Sequence, residues 1–173
     1  VDAVRRDVKA GDPSLDGIFL GPLIAPREAD RIAARISEAR DLGASILTGG
    51  QREGYAVVQP TIITNISSEM KVFSNEAFGP IICLVPFDNF DEAINSINAT
   101  PYGLAAGIFT NDLQRAFTAA QRLEVGGIHI NETSSSRVDL MPYGGMKESG
   151  FGREGPLYAI REMTEEKVIT IYL

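Results

Sequence analysis

Two stretches of this chain hold side chains whose types and spacing suit chemistry. Asn75-Glu76-Ala77-Phe78-Gly79-Pro80 sets a carboxylate two residues from an aromatic ring, just ahead of the apolar run Ile81-Ile82-Cys83-Leu84-Val85. If that turn lies at a sheet edge, Glu76 and Phe78 face one cleft. A carboxylate there suits ribose hydroxyls, and a ring suits a flat heterocycle. The same letters also describe a solvated loop glutamate and a phenylalanine anchoring a strand. The second stretch is Ser134-Ser135-Ser136-Arg137-Val138-Asp139. Arg137 and Asp139 read either as a solvated loop pair or as one cation with several hydroxyls at a cleft mouth, where an acidic substrate group docks.

Other candidates read as structural. Cys83 is the lone thiol; it sits inside an apolar run with no histidine close in sequence and no capping position beside it, which places it in the core. His129 alternates with Ile128 and Ile130, and one histidine without a second His or Cys builds no metal site. Gly150-Phe151-Gly152-Arg153-Glu154-Gly155 spells the dinucleotide fingerprint. That motif needs a strand running into its first glycine and an acidic strand end about 20 residues later. Gly144-Gly145-Met146-Lys147-Glu148-Ser149 stands in front of it instead, so the fingerprint is rejected.

The elements that must position these residues follow from periodicity and punctuation. Residues 1–10 read as the tail of a helix ended by Gly11-Asp12-Pro13, and Pro26 opens a helix over 26–42. Ala29, Ile32, Ala33, Ile36 and Ala39 form its apolar stripe, Arg and Glu its other face, and Gly43 its C-terminal stop. A short strand is expected over 45–47 and extended chain over 55–64, with Pro60 at an edge or bulge. Beyond Pro80 the pattern alternates: strand 81–87, helix 89–99, strand 104–110, a helix to 123, strand 127–131. Asn89 with Glu92 is spaced as a capping box, with Phe90, Ala93, Ile94 and Ile97 inward. Asn111 or Asp112 caps the next helix, with Leu113, Ala116, Phe117 and Ala120 on one face.

Alternation with short connections means two right-handed crossovers in a parallel sheet. Ligands of such sheets bind beyond the carboxyl ends of the strands, which points to Asn131 and the long glycine-rich loop 132–155. A short helix over 156–164 and a terminal strand over 167–173 close the chain. The expected class is α/β, an open and mostly parallel sheet with flanking helices.

Composition narrows the function. The chain has 173 residues, 44% of them hydrophobic, which suffices for one ordinary core. Its net charge of −7 and absence of a basic cluster argue against nucleic acid and an anionic membrane surface. No apolar run reaches the length of a membrane span, and Val1-Asp2-Ala3-Val4-Arg5 is no signal peptide. One cysteine suits a reducing cytoplasm. The start at Val1, inside a charged amphipathic stretch, reads as a piece of a longer polypeptide.

Several stretches together resemble the C-terminal part of NAD(P)-dependent aldehyde dehydrogenases. They are Asn75-Glu76-Ala77-Phe78-Gly79-Pro80, Tyr102-Gly103-Leu104-Ala105-Ala106, Asn131, and Met141-Pro142-Tyr143-Gly144-Gly145-Met146-Lys147-Glu148-Ser149-Gly150. Gly49-Gly50, Gln59-Pro60-Thr61 and Gly152-Arg153-Glu154 fit the same order. The resemblance implies a catalytic-domain portion over 1–164 and an oligomerisation segment over 165–173, whose strand 167–173 serves a homodimer or homotetramer. It implies that Glu76 binds the nicotinamide ribose of NAD or NADP and that Phe78 packs beside the nicotinamide.

By the same resemblance, residues 131–143 line the substrate tunnel, with Asn131, Ser135 and Arg137 as contacts and Tyr143 as an aromatic wall held by 144–150. The family's nucleophilic cysteine lies upstream of Val1, and its general base, oxyanion asparagine and Rossmann domain lie further upstream. The chain then carries no catalytic residue, is inactive alone, and belongs to an enzyme oxidising an aldehyde to an acid through a cysteine thiohemiacetal. Arg137 and the serines suggest a small aldehyde bearing a carboxylate or phosphate. A free-standing, non-catalytic assembly module on the same fold is the alternative.

Overall fold

Pro26 starts the helix on which the first half of the chain is built. The structure, a computed structural model, describes residues 1–173 and divides into two compact units, Val1–Pro86 and Phe87–Leu173. In the first, α1 (Asp2–Asp7) stops earlier than the sequence suggests, because Val8 is extended and Ala10 bridges Leu20 in parallel. The amides of Phe19 and Leu20 both donate to the Lys9 carbonyl, so this bridge competes with another helical turn and wins.

Helix α2 (Pro26–Asp41) runs as expected. Proline sits at its first turn, where its missing N–H is an orphan position anyway, and Gly43 leaves the helix at φ 98°. Ala29, Ile32, Ile36 and Ala39 are at most 1% exposed. Burying one such isoleucine is worth about 1.5–3 kcal/mol, and the stripe fixes the helix rigidly. It packs against β1 (Ser45–Thr48), β2 (Arg52–Glu53), β3 (Val57–Val58), β4 (Thr61–Thr64), α3 (Lys71–Ser74) and β5 (Ile81–Leu84) through a core including Val58, Ile63, Met70 and Val72. Strand β4 is central, with β1 antiparallel on one side and β5 parallel on the other, while β2 and β3 form a separate hairpin.

The first correction concerns pairing. The sequence reading put strands near 81, 104 and 127 in one crossover series, but β5 pairs in parallel with β4. Pro60 precedes β4 instead of interrupting it, so Thr61, Ile62 and Ile63 keep their amides for the ladder and are all buried.

The second unit holds α4 (Phe90–Asn98), β6 (Tyr102–Gly103), β7 (Ala105–Ile108), α5 (Leu113–Arg122), β8 (Gly127–Ile130), β9 (Met146–Lys147) and α6 (Pro156–Met163). The β7–α5–β8 crossover is the expected parallel unit, and β6 pairs antiparallel with β9 from inside the long loop. Asn89 caps α4 by accepting from the amides of Asp91 and Glu92, and Asp112 caps α5 by accepting from Arg115.

The faces differ from the expected ones. Ala116 and Ala119 are buried, whereas Leu113 and Phe117 are 70% and 58% exposed and Ile97 is 47% exposed. The buried face of α5 is thus made by two alanines one turn apart, and its larger side chains lie outward. The expected terminal strand forms no ladder within this chain, and residues 164–173 are exposed. No helix is long and apolar enough to cross a membrane.

Candidate functional site

In the first unit the turn 75–79 rests on α2. Arg35 donates from Nη1 to the Glu76 carbonyl at 2.6 Å, and Arg31, one turn earlier, donates from Nη2 to the Ala77 carbonyl at 2.9 Å. Gly79 lies so close to the same helix that a Cβ there would stand 2.8 Å from Ile32 Cδ1. With the Ala77 side chain packed on the core, Glu76 and Phe78 are turned outward, and Phe78 adopts φ 51°. They border an open cleft of about 590 Å³ with Pro22, Leu23, Ile24, Glu28 and Arg31.

Arg31 Nε also donates to Glu28 Oε2 at 2.8 Å, and this bond holds the Glu28 carboxyl below the usual carboxylate range. The cleft thus has an apolar wall, an exposed ring, and carboxylates beside a guanidinium. Groups of these kinds are able to contact a sugar joined to a flat heterocycle.

In the second unit the loop after β8 carries the other candidates. Asn131 sits at φ 57°, a conformation asparagine tolerates, and its Oδ1 accepts from the Thr110 amide at 2.8 Å. Its oxygen is therefore committed to closing the end of β7. The Ser135 hydroxyl lies 3.0 Å from that of Thr133. Arg137 does not pair with Asp139. Its guanidinium lies over the Tyr143 ring, 4.6 Å from the centroid, with Nη2 3.5 Å from Glu154 Oε2.

Tyr143 is itself pinned, since its amide donates to the Glu154 carbonyl at 3.1 Å and its carbonyl accepts from the Glu154 amide at 2.6 Å. Arg153 Nη1 donates to the carbonyls of Gly145 and Gly152 at 3.0 and 2.7 Å. The rejected glycine fingerprint therefore serves as the seat of Tyr143. Lys147 locks the next turn: Nζ donates to the carbonyls of Asn98 (2.7 Å) and Thr100 (3.2 Å) and pairs with Glu124 at 2.8 Å. Cys83 is half-buried, its thiol donates to the Val72 carbonyl at 3.5 Å, and burial pushes its pKa up. It packs against the hydrophobic core from its margin instead of lying within it.

The sequence profile of the Aldehyde dehydrogenase family matches residues 1–169. This chain belongs to the aldehyde dehydrogenase family. It is 49% identical over 163 residues to 3-sulfolactaldehyde dehydrogenase of Priestia aryabhattai, covering 94% of this chain and 34% of that protein. Aldehyde dehydrogenase 21 from Physcomitrella patens, solved in complex with the reaction product succinate, superposes with TM-score 0.91 at 42% identity, over 95% of this chain and 34% of that one. GapN, a glyceraldehyde-3-phosphate dehydrogenase from Methanocaldococcus jannaschii complexed with NADP, superposes with TM-score 0.86 at 37% identity, over 92% and 35%. The chain spans about a third of the length of the relatives it matches.

For this aldehyde dehydrogenase chain, sequence reasoning missed Arg31, Arg35 and Lys147. The two arginines stand four residues apart on the polar face of α2, a spacing that puts both on one side but equally describes a solvated stripe.

Proposed function

We propose that this chain supplies the cofactor clamp and part of the aldehyde pocket of an NAD(P)-dependent enzyme that oxidises a small anionic aldehyde to the acid. Glu76 would accept hydrogen bonds from ribose hydroxyls and Phe78 would flank the nicotinamide, which takes up hydride when bound. The cleft beside them has the size and donor set for that half of a dinucleotide. Asn131, Ser135, Arg137 and Tyr143 would line the substrate side. The remaining two-thirds that the relatives possess would bring the thiolate, since Cys83 is held protonated against a backbone carbonyl. The chain by itself would be inactive, and the intact protein would work in the cytoplasm as a homodimer or homotetramer.

The observation that carries the substrate class is the Arg137 guanidinium lying on the Tyr143 ring. Its ion pair with Glu154 is long, and the two side chains are 47% and 68% exposed, so a substrate anion displaces that carboxylate at little cost. A guanidinium over a ring keeps a planar fork of donors, which suits carboxylate, sulfonate or phosphate. Three of the similar proteins point the same way by their names: a sulfonated aldehyde, a dicarboxylate product and a phosphorylated aldehyde.

The test is Arg137→Ala in the intact enzyme. Loss of a charge-assisted bond worth about 1.5–3 kcal/mol lowers kcat/KM for anionic aldehydes roughly 10- to 100-fold and spares neutral ones. Equal losses for both classes remove Arg137 from the pocket.

A further inference from the structure

Arg35 lies outside the cleft, behind the turn that carries Glu76 and Phe78. We infer that it is a positioning residue for the cofactor clamp, presetting the backbone on which Glu76 and Phe78 are presented. This rests on the reading of those two residues as the clamp. Three neighbouring positions on α2 grip three residues of the turn, on both sides of Phe78: Arg35 the Glu76 carbonyl, Arg31 the Ala77 carbonyl, and Ile32 the bare face of Gly79. Phe78, enclosed by these grips, holds a left-handed backbone that disfavours a bulky side chain. Such a conformation persists only where the surroundings over-determine it.

Ile32 is fully buried and α2 is anchored by its apolar stripe, so the frame to which the turn is fastened is rigid. With both carbonyls held to the helix and Phe78 in its left-handed conformation, Glu76 and Phe78 are left bordering the cleft. Arg31 also borders the cleft and holds Glu28, so its substitution would mix direct and indirect effects. Arg35 acts through the backbone alone and isolates the indirect one.

The experiment compares Arg35→Met, Arg35→Lys and Glu76→Gln in the intact enzyme by amide hydrogen exchange without cofactor and by calorimetric titration with NAD+ and NADP+. Arg35→Met is expected to speed exchange across 76–79 while amides of the α2 core stay at wild-type rates. It should also raise the cofactor Kd on the order of tenfold, the scale of one charge-assisted bond. Arg35→Lys keeps a donor and recovers most of both losses. Should Arg35→Met fail to fold, Arg35→Gln, which is polar but too short to reach the carbonyl, carries the same expectations.

Wild-type exchange and wild-type affinity in Arg35→Met overturn the inference. The Glu76→Gln arm then separates the two readings: weakened cofactor binding there leaves the clamp standing without Arg35, and unaltered binding removes the clamp itself.

Discussion

The thiol of Cys83 faces the Val72 carbonyl, and desolvation raises its pKa above the ordinary cysteine value. Burial disfavours the thiolate, so the contribution of this group to stability is complete below the unfolded-state pKa and is lost as pH climbs through the higher folded value. Alkylation by iodoacetamide at pH 8 should therefore be slow in the native protein and rise sharply in urea. A native rate equal to that of free cysteine would show that Cys83 is a reactive thiol after all. At this scale the sequence was informative wherever a residue's neighbours in the chain decide its fate, as an apolar run does for Cys83. It was silent about Arg31 and Arg35, whose partners are main-chain carbonyls 46 and 41 residues away. It offered a pair with Asp139 as one of two readings of Arg137, whereas the hydrogen-bonded bridge between Tyr143 and Glu154 brings Glu154 to that guanidinium.

At the scale of elements, the contact between α2 and the turn at Gly79 makes a sharp prediction. A methyl group at 79 would sit 2.8 and 2.9 Å from two carbons of Ile32, whose side chain is fully buried and has nowhere to swing. Gly79→Ala should cost about 1–3 kcal/mol by overpacking, read from denaturant unfolding with an unchanged m-value, and Ile32→Val in the same chain should return part of it. Unaltered stability in Gly79→Ala would mean that the helix is not the rigid frame described. Element starts were legible because capping is local chemistry: Pro26, Asn89 and Asp112 stand where a backbone amide needs no partner or receives one. Which face a helix buries was legible for α2, where a wide aliphatic stripe leaves one solution. For α5 it was not, since alanine pairs and larger side chains compete for the inward face and tertiary packing chose the small ones.

At the scale of the whole molecule, the terminal segment stands out. Val168, Ile169, Ile171 and Tyr172 are 91, 75, 75 and 92% exposed, and their backbone pairs with no strand of this chain. An unpaired β-branched edge of this kind calls for a partner strand. We expect deletion of residues 167–173 to lower the oligomeric state measured by light scattering, with α2 and the first unit still folded. An unchanged mass would assign the interface elsewhere. The family was legible from the sequence because its motifs run in order along nearly the whole chain. The ladders were less so, because a strand's partner depends on register and closure that no local pattern records.

The division into Val1–Pro86 and Phe87–Leu173 also has a consequence for the ribosome. Every ladder of the first unit, β1 with β4, β2 with β3 and β4 with β5, closes within residues that have been made before Phe87 is added. A nascent chain can bury the α2 stripe and gain protease resistance there while the second half is still being translated. The second unit is different, because Tyr102 and Gly103 find their partners only at Lys147 and Met146. At roughly 5–20 residues per second that edge stays open for a few seconds of synthesis.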